Sequence, residues 1–448
     1  MDLLCQWNIV KYLYKIGNRV RRFEYMKVLN YDICVLGAGP AGLAAAIAAR
    51  RMGARVLLVE RDGVLGGMST AGMLNTWCGD AYSSVYSYIC RRTTKRFGKR
   101  LIYSPEELKV LYINMIEENG IDLLLHSFVT GAVCDGGDLR EVRIHTKSGE
   151  MAIEAKIFID CTGDGDVAAL CGVPFDKGRD DGLMQPMTVQ FTVCGVDESR
   201  ALYANVQTPE LKAKMQEYLA DGRVSFPVGL LILLEAIEPH TAFVNMTNVI
   251  NVDGTDVFDQ TRAEIEARRQ IPQIVRFLRE NVPGYEECYV IASAAYAGAR
   301  ETRRVKGAYT VTADDVGSGR QFEDWIVDGA LYPFGIHNPN GKVERDANCP
   351  QDTLKRYTLP YGCFTPVGMK NLMMAGRCIS GDHYALSSYR VMPICFAMGE
   401  GVGTCAALAL RDGVSPTSFD IEKIKAVQTI LKSTENYGGY CGETPVSV

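Results

Sequence analysis

The pattern of apolar and polar residues near the start of the chain predicts a strand, a helix and a second strand. The apolar run 32–36 leads into a glycine-rich turn, and small residues from about position 40 predict a closely packed helix. A second apolar run follows at 55–59. This succession is typical of a βαβ unit in an α/β protein.

The segment that follows predicts a helix and then antiparallel strands. Ser104 and Glu107 have the spacing of a capping box, and Pro105 occupies the first helical position. Alternating apolar runs come next, joined by turn-forming residues at 135–137 and 147–149. We therefore expect a small antiparallel excursion that ends in a buried strand.

The pattern changes after residue 182 and changes back near residue 346. The middle segment contains strands at 187–196 and 240–252 and helices at 198–221 and 259–281, the second kinked at Pro272. Glycine-rich apolar sequence then returns and predicts a long helix over 393–410. We therefore expect five parts: an N-terminal extension (1–30), a first part of a nucleotide-binding domain (31–182), a substrate or cap domain (183–345), a return segment (346–415) and a C-terminal tail or helix (416–448).

The N-terminal extension has its own character. Residues 11–28 are basic with interspersed aromatics, which is compatible with an amphipathic helix at a membrane surface. The stretch lacks the continuous apolar core of a signal peptide. The alternatives are a disordered tail, or a native start at Met26, just before the first strand.

Composition and charge narrow the function classes. The 448 residues suggest two or three domains, and 47% hydrophobic with 23% charged content is ordinary for a soluble protein. A net charge of −5 gives no sign of nucleic-acid binding. The richest apolar run, 228–237, is too short to span a membrane and contains Glu235. The fifteen cysteines include no C-x-x-C pair or zinc spacing, so we expect no metal site and reduced thiols in a cytoplasmic protein.

The first glycine-rich turn carries the strongest chemical motif. Gly37, Gly39 and Gly42 form G-x-G-x-x-G between a strand and a helix, and Glu60 ends the second strand. The glycines permit a tight turn, close approach of a pyrophosphate and helix–strand packing, and the acid accepts hydrogen bonds from a ribose. A dinucleotide site is therefore expected. This loop alone does not separate FAD from NAD, but the loop 65–72 and the strand end 157–166 favour FAD, since a nicotinamide-binding domain needs neither.

The chain resembles the FAD-dependent oxidoreductases of the glutathione-reductase-like superfamily over roughly residues 31–410. It is similar in particular to a bacterial group distantly similar to fumarate reductase and succinate dehydrogenase flavoproteins. The resemblance rests on ordered blocks such as GAGPAGLAAAIAARRMG, LGGMSTAGM, IDCTGDGDVAALCGVPF, GARETRRVKGAYTVTADDV and RVMPICFAMGEGVG. It implies a Rossmann-like FAD-binding α/β domain of the glutathione-reductase type, an inserted α+β cap and noncovalent FAD.

The resemblance also implies where the cofactor lies. A helix N-terminus near residue 391 would face the flavin pyrimidine, and Arg377 stands where related flavoproteins carry an acid that holds the cofactor's sugar chain, so that Asp382 or a backbone group would supply this contact. The expected cofactor-binding residues are Gly37, Ala38, Gly39, Pro40, Ala41, Gly42, Glu60, Arg61, Gly66, Gly67, Met68, Ser69, Thr70, Val129, Thr162, Gly163, Asp164, Gly376, Arg377, Val391 and Met392.

Three residues are candidates for substrate chemistry. His383 aligns with the substrate-binding histidine of the fumarate-reductase-like proteins, with an ordinary loop histidine as the alternative. Arg300 belongs to a cluster with Arg303 and Arg304 that suits a carboxylate or the pyrophosphate, unless these arginines form a salt-bridge network with nearby acids. Arg390 precedes the long helix. His337 and Tyr361 are weaker candidates, and Cys78, Cys363 and Cys378 are expected to be structural thiols.

The expected activity is hydride transfer between the flavin and a small organic molecule, with a carboxylate as the candidate group on that molecule. The alternative is an electron-transfer subunit that passes electrons to a redox partner protein. A flavin-dependent RNA-modifying protein is disfavoured by the absence of a basic surface.

Overall fold

The computed structural model describes residues 26–97, 100–205, 208–227, 230–342, 346–351, 354–435 and 437–438. Most of the expected N-terminal extension, residues 1–25, lies outside the described residues, so its interpretation stays a prediction. Its last residues already belong to a strand, because the first strand begins at Lys27 rather than after residue 30.

Strands and helices follow one another near both ends of the chain as the sequence predicts: a βαβ unit at the start and a long helix after residue 391. The strands are β1 (Lys27–Leu36), β2 (Val56–Val59), β3 (Lys95–Phe97), β4 (Arg100–Ile102), β5 (Asp122–Leu124), β6 (Phe128–Asp135), β7 (Asp138–Thr146), β8 (Gly149–Asp160), β9 (Phe175–Lys177), β10 (Phe191–Cys194), β11 (Ala204–Asn205), β12 (Ile232–Glu235), β13 (Thr241–Asn245), β14 (Tyr289–Ser293), β15 (Arg303–Val305), β16 (Trp325–Ala330), β17 (Tyr357–Pro360) and β18 (Leu372–Met374). The helices are α1 (Pro40–Arg51), α2 (Ser84–Thr93), α3 (Pro105–Glu118), α4 (Asp166–Leu170), α5 (Pro209–Ala220), α6 (Val257–Asn281), α7 (Ala313–Ser318), α8 (His383–Tyr389), α9 (Met392–Asp412) and α10 (Ile421–Ser433).

A mainly parallel sheet forms the centre of the molecule, with the strand order β5-β2-β1-β8-β7-β6. Strands β5, β2, β1 and β8 are parallel, and β18 joins the end of β8 in parallel. Along the edge opposite β1, the long strand β8 has two partners: its first half pairs with the antiparallel β7, and its last residues pair with β18. This arrangement confirms the α/β class and brings the carboxyl ends of the parallel strands to one edge.

Helices α1 and α9 pack directly against each other beside this sheet. The contact is close because two of the three glycines of α9 face α1: a Cβ on Gly399 would lie 1.9 Å from the Ala41 carbonyl oxygen, and one on Gly403 would lie 2.3 Å from that of Ala45. Helix α9 is long and apolar enough to cross a membrane by length and composition alone, yet 94% of its most apolar window is buried inside the protein. Its apolar composition is therefore explained by its place in the protein core.

A second sheet, antiparallel in the order β11-β12-β13-β10-β14, is built from the middle of the chain. Residues of β10, β12 and β13 on one face share a hydrophobic core with α5 and α6, which includes Phe191, Leu233, Val244, Phe277 and Leu278. The opposite face is not covered by these helices. Together the sheet and helices give the α+β character that the sequence predicts for this segment, whose domain bounds stay a prediction.

Two local expectations are corrected. The helix expected over 198–221 begins only at Pro209, because Thr208 caps it by accepting from the Leu211 amide, and β11 precedes it. Helix α3 begins at Pro105 as predicted, but the Ser104 side chain makes no capping hydrogen bond. Its hydroxyl instead donates to Glu238 Oε1 at 3.2 Å, a partner that is distant in sequence.

The expectation that all thiols are reduced is also corrected. Cys134 of β6 and Cys171, at the end of α4, form a disulfide. The residues are 37 positions apart, and packing of α4 against β6 brings their Cα atoms to 5.9 Å. Sequence spacing carried no signal for this pair, because only the fold makes them neighbours.

Candidate functional site

A cavity of about 1030 Å³ lies at the carboxyl ends of the parallel strands and continues beneath the second sheet. Its size is at the upper end of small-molecule sites, which span about 300–1,000 Å³. Most of the predicted cofactor-binding residues line it: Gly37, Gly39, Pro40, Ala41, Glu60, Arg61, Gly67, Met68, Val129, Thr162, Gly163, Asp164, Gly376, Arg377, Val391 and Met392.

The glycine-rich turn between β1 and α1 forms one wall of the cavity. Gly37 has φ +96°, and a Cβ there would lie 2.4 Å from the Cys161 carbonyl oxygen. Gly42 is equally constrained, because its Cβ would lie 1.8 Å from the Gly37 carbonyl oxygen. Gly39 differs, since a Cβ there would meet no protein atom within 4 Å. The space beside Gly39, at the N-terminus of α1, is therefore open to a phosphate group.

Glu60 follows β2 and closes the same wall. Its carboxylate accepts hydrogen bonds from the Ala38 amide at 2.6 Å and the Asp62 amide at 2.9 Å. Burial raises the pKa of Glu60, although the two amides favour its ionised form. Ala38 does not line the cavity, and its contribution is this contact with Glu60.

The loop after β2 has a front and a back. Gly67 and Met68 line the cavity, whereas Gly66, Ser69 and Thr70 do not. The Ser69 hydroxyl donates to the Gly66 carbonyl at 2.8 Å, and the Thr70 hydroxyl donates to the Leu65 carbonyl. These back residues therefore hold the loop shape while the two front residues present backbone and the Met68 side chain to the cavity.

The end of β8 is organised by a buried acid. Asp160 accepts hydrogen bonds from the Thr162 amide and hydroxyl and from the Ala168 amide, and burial raises its pKa to about 6. Asp164, farther along the loop, accepts from the Thr302 hydroxyl at 2.7 Å and pairs with Arg377. Asp164 and Arg377 both line the cavity. Arg377, which stands where related flavoproteins carry an acid, therefore has its guanidinium beside the carboxylate of Asp164.

Asp382, the alternative for the sugar-chain contact, does not line the cavity. Its carboxylate accepts from the amides of Ala385 and Ala313, each at 2.7 Å. It acts as the N-cap of α8. The charged groups near Gly376 that do line the cavity are therefore Asp164 and Arg377.

The far end of the cavity contains two arginines, the buried Arg300 and the half-buried Arg390. Arg300 donates to the Pro186 carbonyl at 2.6 Å and to Asn245 Oδ1 at 3.3 Å. Arg390 donates to Gln185 Oε1 at 3.3 Å and to the Gly335 carbonyl at 3.0 Å, and its buried Nε has no partner. Burial, and for Arg300 the nearby charge of Arg390, lowers both pKa values. Among the hydrogen bonds found in the described part of the chain, the acceptors of both guanidiniums are neutral.

Backbone amides lie next to these arginines. Val391 is the N-cap of α9 and Met392 is its first residue, and both line the cavity. Pro393 follows, as the sequence predicts for a first turn. The N-terminus of a 21-residue helix therefore adds partial positive charge to the same end of the cavity as Arg390.

His383 does not line the cavity. Its side chain is 5% exposed and its Nδ1 lies 2.9 Å from Glu301, which also pairs with Arg304. Arg303 pairs with Asp166. The salt-bridge interpretation thus describes Arg303 and Arg304, whereas Arg300 is the member of the cluster that reaches the cavity.

Of the weaker candidates, His337 and Cys78 line the cavity, and Tyr361, Cys363 and Cys378 do not. His337 lines the cavity, and burial together with the charges of Arg300 and Arg390 holds its pKa well below the usual value, so its imidazole is neutral. Tyr361 lies elsewhere and donates to the Pro416 carbonyl. Cys78 lines the cavity, but burial raises its pKa to about 11, and burial also raises the pKa values of Cys363 and Cys378. In the described ranges no group of three or more histidine, cysteine or acidic side chains is placed to hold a metal ion.

Comparison with known proteins identifies the family. The profile of the FAD dependent oxidoreductase family matches residues 32–431. The chain belongs to the FAD dependent oxidoreductases. Curated relatives include the mitochondrial dihydrolipoyl dehydrogenase of Schizosaccharomyces pombe, 28% identical over 34% of this chain and 31% of that protein, and the dihydrolipoyl dehydrogenase of Manduca sexta, 25% identical over 36% and 34%. The match thus spans about a third of these relatives' length.

Solved structures of similar shape include a geranylgeranyl bacteriochlorophyll reductase-like protein from Thermoplasma acidophilum, with a TM-score of 0.45 and 13% identity over 90% of this chain and 84% of that one. A flavin-dependent brominase has a TM-score of 0.45 and 12% identity over 89% and 83%.

This FAD dependent oxidoreductase has a cavity that suits its cofactor. The open space beside Gly39 fits the pyrophosphate, and the buried carboxylate of Glu60 fits the adenosine ribose. The N-terminus of α9 fits the electron-rich edge of a flavin. The fold is accordingly a Rossmann-like FAD-binding domain with an inserted α+β segment.

Two residues at the site carry no sequence motif: Tyr296, which lines the cavity, and Gln185, which does not line it but contacts the cavity residue Arg390. Tyr296 follows β14, and the Arg61 guanidinium lies 5.4 Å from its ring centre, which links the middle segment to the adenosine end. Gln185 is 1% exposed and contacts Arg390 and the His337 amide. Tyr296 reaches the cavity because it follows a strand of the second sheet, whereas Gln185 acts through its contact with Arg390.

Proposed function

We propose that this FAD dependent oxidoreductase transfers a hydride between its flavin and a small organic molecule that carries a carboxylate. The observation that carries the proposal is the pair of cavity arginines, the buried Arg300 and the half-buried Arg390, whose hydrogen-bond acceptors in the described part of the chain are neutral. A buried cation without a counter-ion is costly, and a bidentate carboxylate is the anion that guanidinium geometry matches best.

The hydrogen-bond partners of the two arginines hold them in positions from which they can orient a substrate carboxylate. Arg300 is held by the Pro186 carbonyl and Asn245, and Arg390 by the neighbouring Gln185 and Gly335, so both guanidiniums have fixed positions before the substrate binds. The neutral His337 imidazole can accept or donate a proton at the substrate. Bound FAD supplies the two-electron redox chemistry.

The continuity of the cavity supports an enzyme rather than an electron-transfer subunit. The space does not end at the nucleotide cradle but extends to Ile232, Phe243 and Asn245 of the second sheet. A relay protein needs no such enclosed volume beyond its flavin. His383, Glu301 and Arg304 do not line the cavity, and we assign them to support of Gln185, whose backbone N–H donates to Glu301 Oε2 at 3.2 Å.

The proposal is tested by substitution of Arg300 in the flavin-loaded protein. We expect Arg300→Gln to weaken binding of carboxylates by about ten- to a hundredfold, because a hydrogen bond to a charged group contributes about 1.5–3 kcal/mol. The measurement is anaerobic bleaching of the flavin by a panel of small organic acids and by their primary amides, with reoxidation by candidate acceptors.

The matched control is Arg411→Gln, since Arg411 is an exposed arginine of α9 that pairs with Asp412 far from the cavity. It is expected to leave flavin reduction unchanged. If acids and amides bleach the flavin equally, or if Arg300→Gln binds acids as the unmodified protein does, the carboxylate proposal is wrong. Copurification of a metal-rich partner that accepts the electrons would instead favour the relay function.

A further inference from the structure

Part of the face of the second sheet that looks into the cavity is apolar, next to the polar Asn245 on the same face. Along β12, Ile232 and Leu234 point to this face while Leu233 points to the core shared with the helices. Along β13, Phe243 points to it and Ala242 and Val244 point away. This division follows from the two-residue period of a strand.

These side chains form a hydrophobic cluster of their own. Ile232, Leu234 and Phe243 form a cluster with Leu74 and Leu230 that is separate from the three larger cores, although Leu74 also packs against the largest of them. All five line the cavity. Ile232, Leu234 and Phe243 are nearly buried, with 6%, 9% and 1% of their surface exposed, whereas Leu74 and Leu230 are half-buried. The cavity therefore has an apolar wall here, and an apolar group of a ligand matches it.

The strand register joins this apolar face to the arginine anchor. Ile232 is directly opposite Asn245, and Leu234 is directly opposite Phe243. Asn245 is also the residue whose side chain accepts from Arg300. Opposite residues of an antiparallel pair have Cβ atoms about 5 Å apart, and two residues along a strand span about 7 Å. The apolar face therefore begins beside the anchor and extends one step along the sheet.

A polar boundary closes the far side. Glu235 follows Leu234 and pairs with Arg100, another cavity residue. The Asn75 side chain donates to the Glu235 carbonyl at 2.9 Å and ties the segment that carries Leu74 to β12. The apolar region is thus bounded by Arg300 at one end and by the Arg100–Glu235 ion pair at the other.

We propose that the acid bound by this protein carries a compact apolar body, an aryl group or a short alkyl chain, that lies against Ile232, Leu234 and Phe243. The inference rests on the proposed carboxylate anchor and names the chemistry of the rest of the substrate. A small dicarboxylate would leave the apolar face uncovered and would place a second charge against it.

The test is calorimetric titration of the oxidised, FAD-loaded protein with acetate, propanoate, hexanoate, phenylpropanoate, succinate and hexanamide. We expect hexanoate and phenylpropanoate to bind more tightly than propanoate, by up to about fourfold for each buried methylene. Succinate is expected to bind no better than propanoate. This series needs no variant, so it does not depend on the folding of a mutant.

A variant assigns the effect to the sheet. Leu234→Asn keeps the side-chain size and is expected to remove most of the advantage of hexanoate over propanoate while the affinity for propanoate stays within about twofold. Leu219→Asn, on an exposed leucine of α5, is the control and is expected to change neither affinity.

The outcomes separate the two proposals. If hexanamide binds as well as hexanoate, the carboxylate anchor is wrong and the apolar site stands. If succinate or propanoate binds as well as hexanoate, the apolar body is wrong and the anchor stands. Failure of every acid to bind contradicts both.

Discussion

At the scale of single residues, the glycines of the first turn have different physical tasks. Gly37 and Gly42 are required by the protein itself, because an added Cβ on either would overlap backbone atoms. Gly39 has an extended backbone, φ −68° and ψ −174°, that any residue can adopt, and its surroundings are open. The absence of a side chain at Gly39 therefore matters for the cofactor and not for the fold.

This difference predicts opposite behaviour for two substitutions. Gly39→Val is expected to leave the apoprotein folded but to weaken FAD binding by at least about tenfold, because its side chain fills the space for the pyrophosphate. Gly42→Ala is expected to destabilise the apoprotein itself. Circular dichroism melting of the apoproteins and FAD titration distinguish the two. A Gly39→Val protein that binds FAD normally would contradict the assigned pyrophosphate position.

At the scale of elements, the contact between α1 and α9 brings two helix N-termini to the cavity, and we propose that they bind the two ends of the cofactor. The N-terminus of α1 lies beside Gly39, and the N-terminus of α9 carries Val391 and Met392. Because Gly399 and Gly403 let the two helices approach closely, the distance between these N-termini is fixed by backbone packing rather than by flexible side chains.

We expect Gly399→Ala and Gly403→Ala each to lower the free energy of unfolding by about 1–3 kcal/mol or more, since the new methyl group meets backbone oxygen. Gly317→Ala in α7 is the matched control, because its Cβ would lie an ordinary 3.7 Å from Phe334. It is expected to be neutral or to stabilise by up to about 1 kcal/mol. Urea unfolding measures all three, and a Gly403→Ala protein as stable as the original would refute the close-contact argument.

At the scale of the whole molecule, the cavity is the region where the two sheets meet. Its walls come from the parallel sheet, from Gly67 and Met68 of the loop after β2, from the second sheet and from the start of α9. A ligand that fills it contacts segments from both ends and the middle of the chain. Cofactor binding and global stability are therefore linked.

FAD is expected to raise the thermal midpoint of the apoprotein in a concentration-dependent way, with about 1.4 kcal/mol of added stability for each tenfold excess over its Kd. FMN, which lacks the adenylate half, is the matched ligand and is expected to stabilise much less, because it makes no contact at Glu60. Equal stabilisation by FAD and FMN would argue against the assigned adenosine end.

The sequence by itself determined the features that depend on short stretches of chain. The first βαβ unit, the glycine-rich turn, the acid after β2 and the long helix behind Pro393 are local patterns of apolar residues, turn residues and caps, and these patterns have the same meaning in any fold. Together with the ordered blocks of the family, they were enough for the α/β class and for FAD.

Only the tertiary structure decided which polar residues share the cavity. Arg300 reaches it while Arg303 and Arg304 beside it pair with acids, and His337 lines it while His383 is bound to Glu301. Ser104 has the right spacing for a capping box, yet its hydroxyl contacts Glu238. The physical reason is that orientation and burial of a side chain are set by partners far away in sequence. The spacing of apolar residues predicts helices and strands, whereas the packing of the second sheet against the first determines which side chains line the cavity.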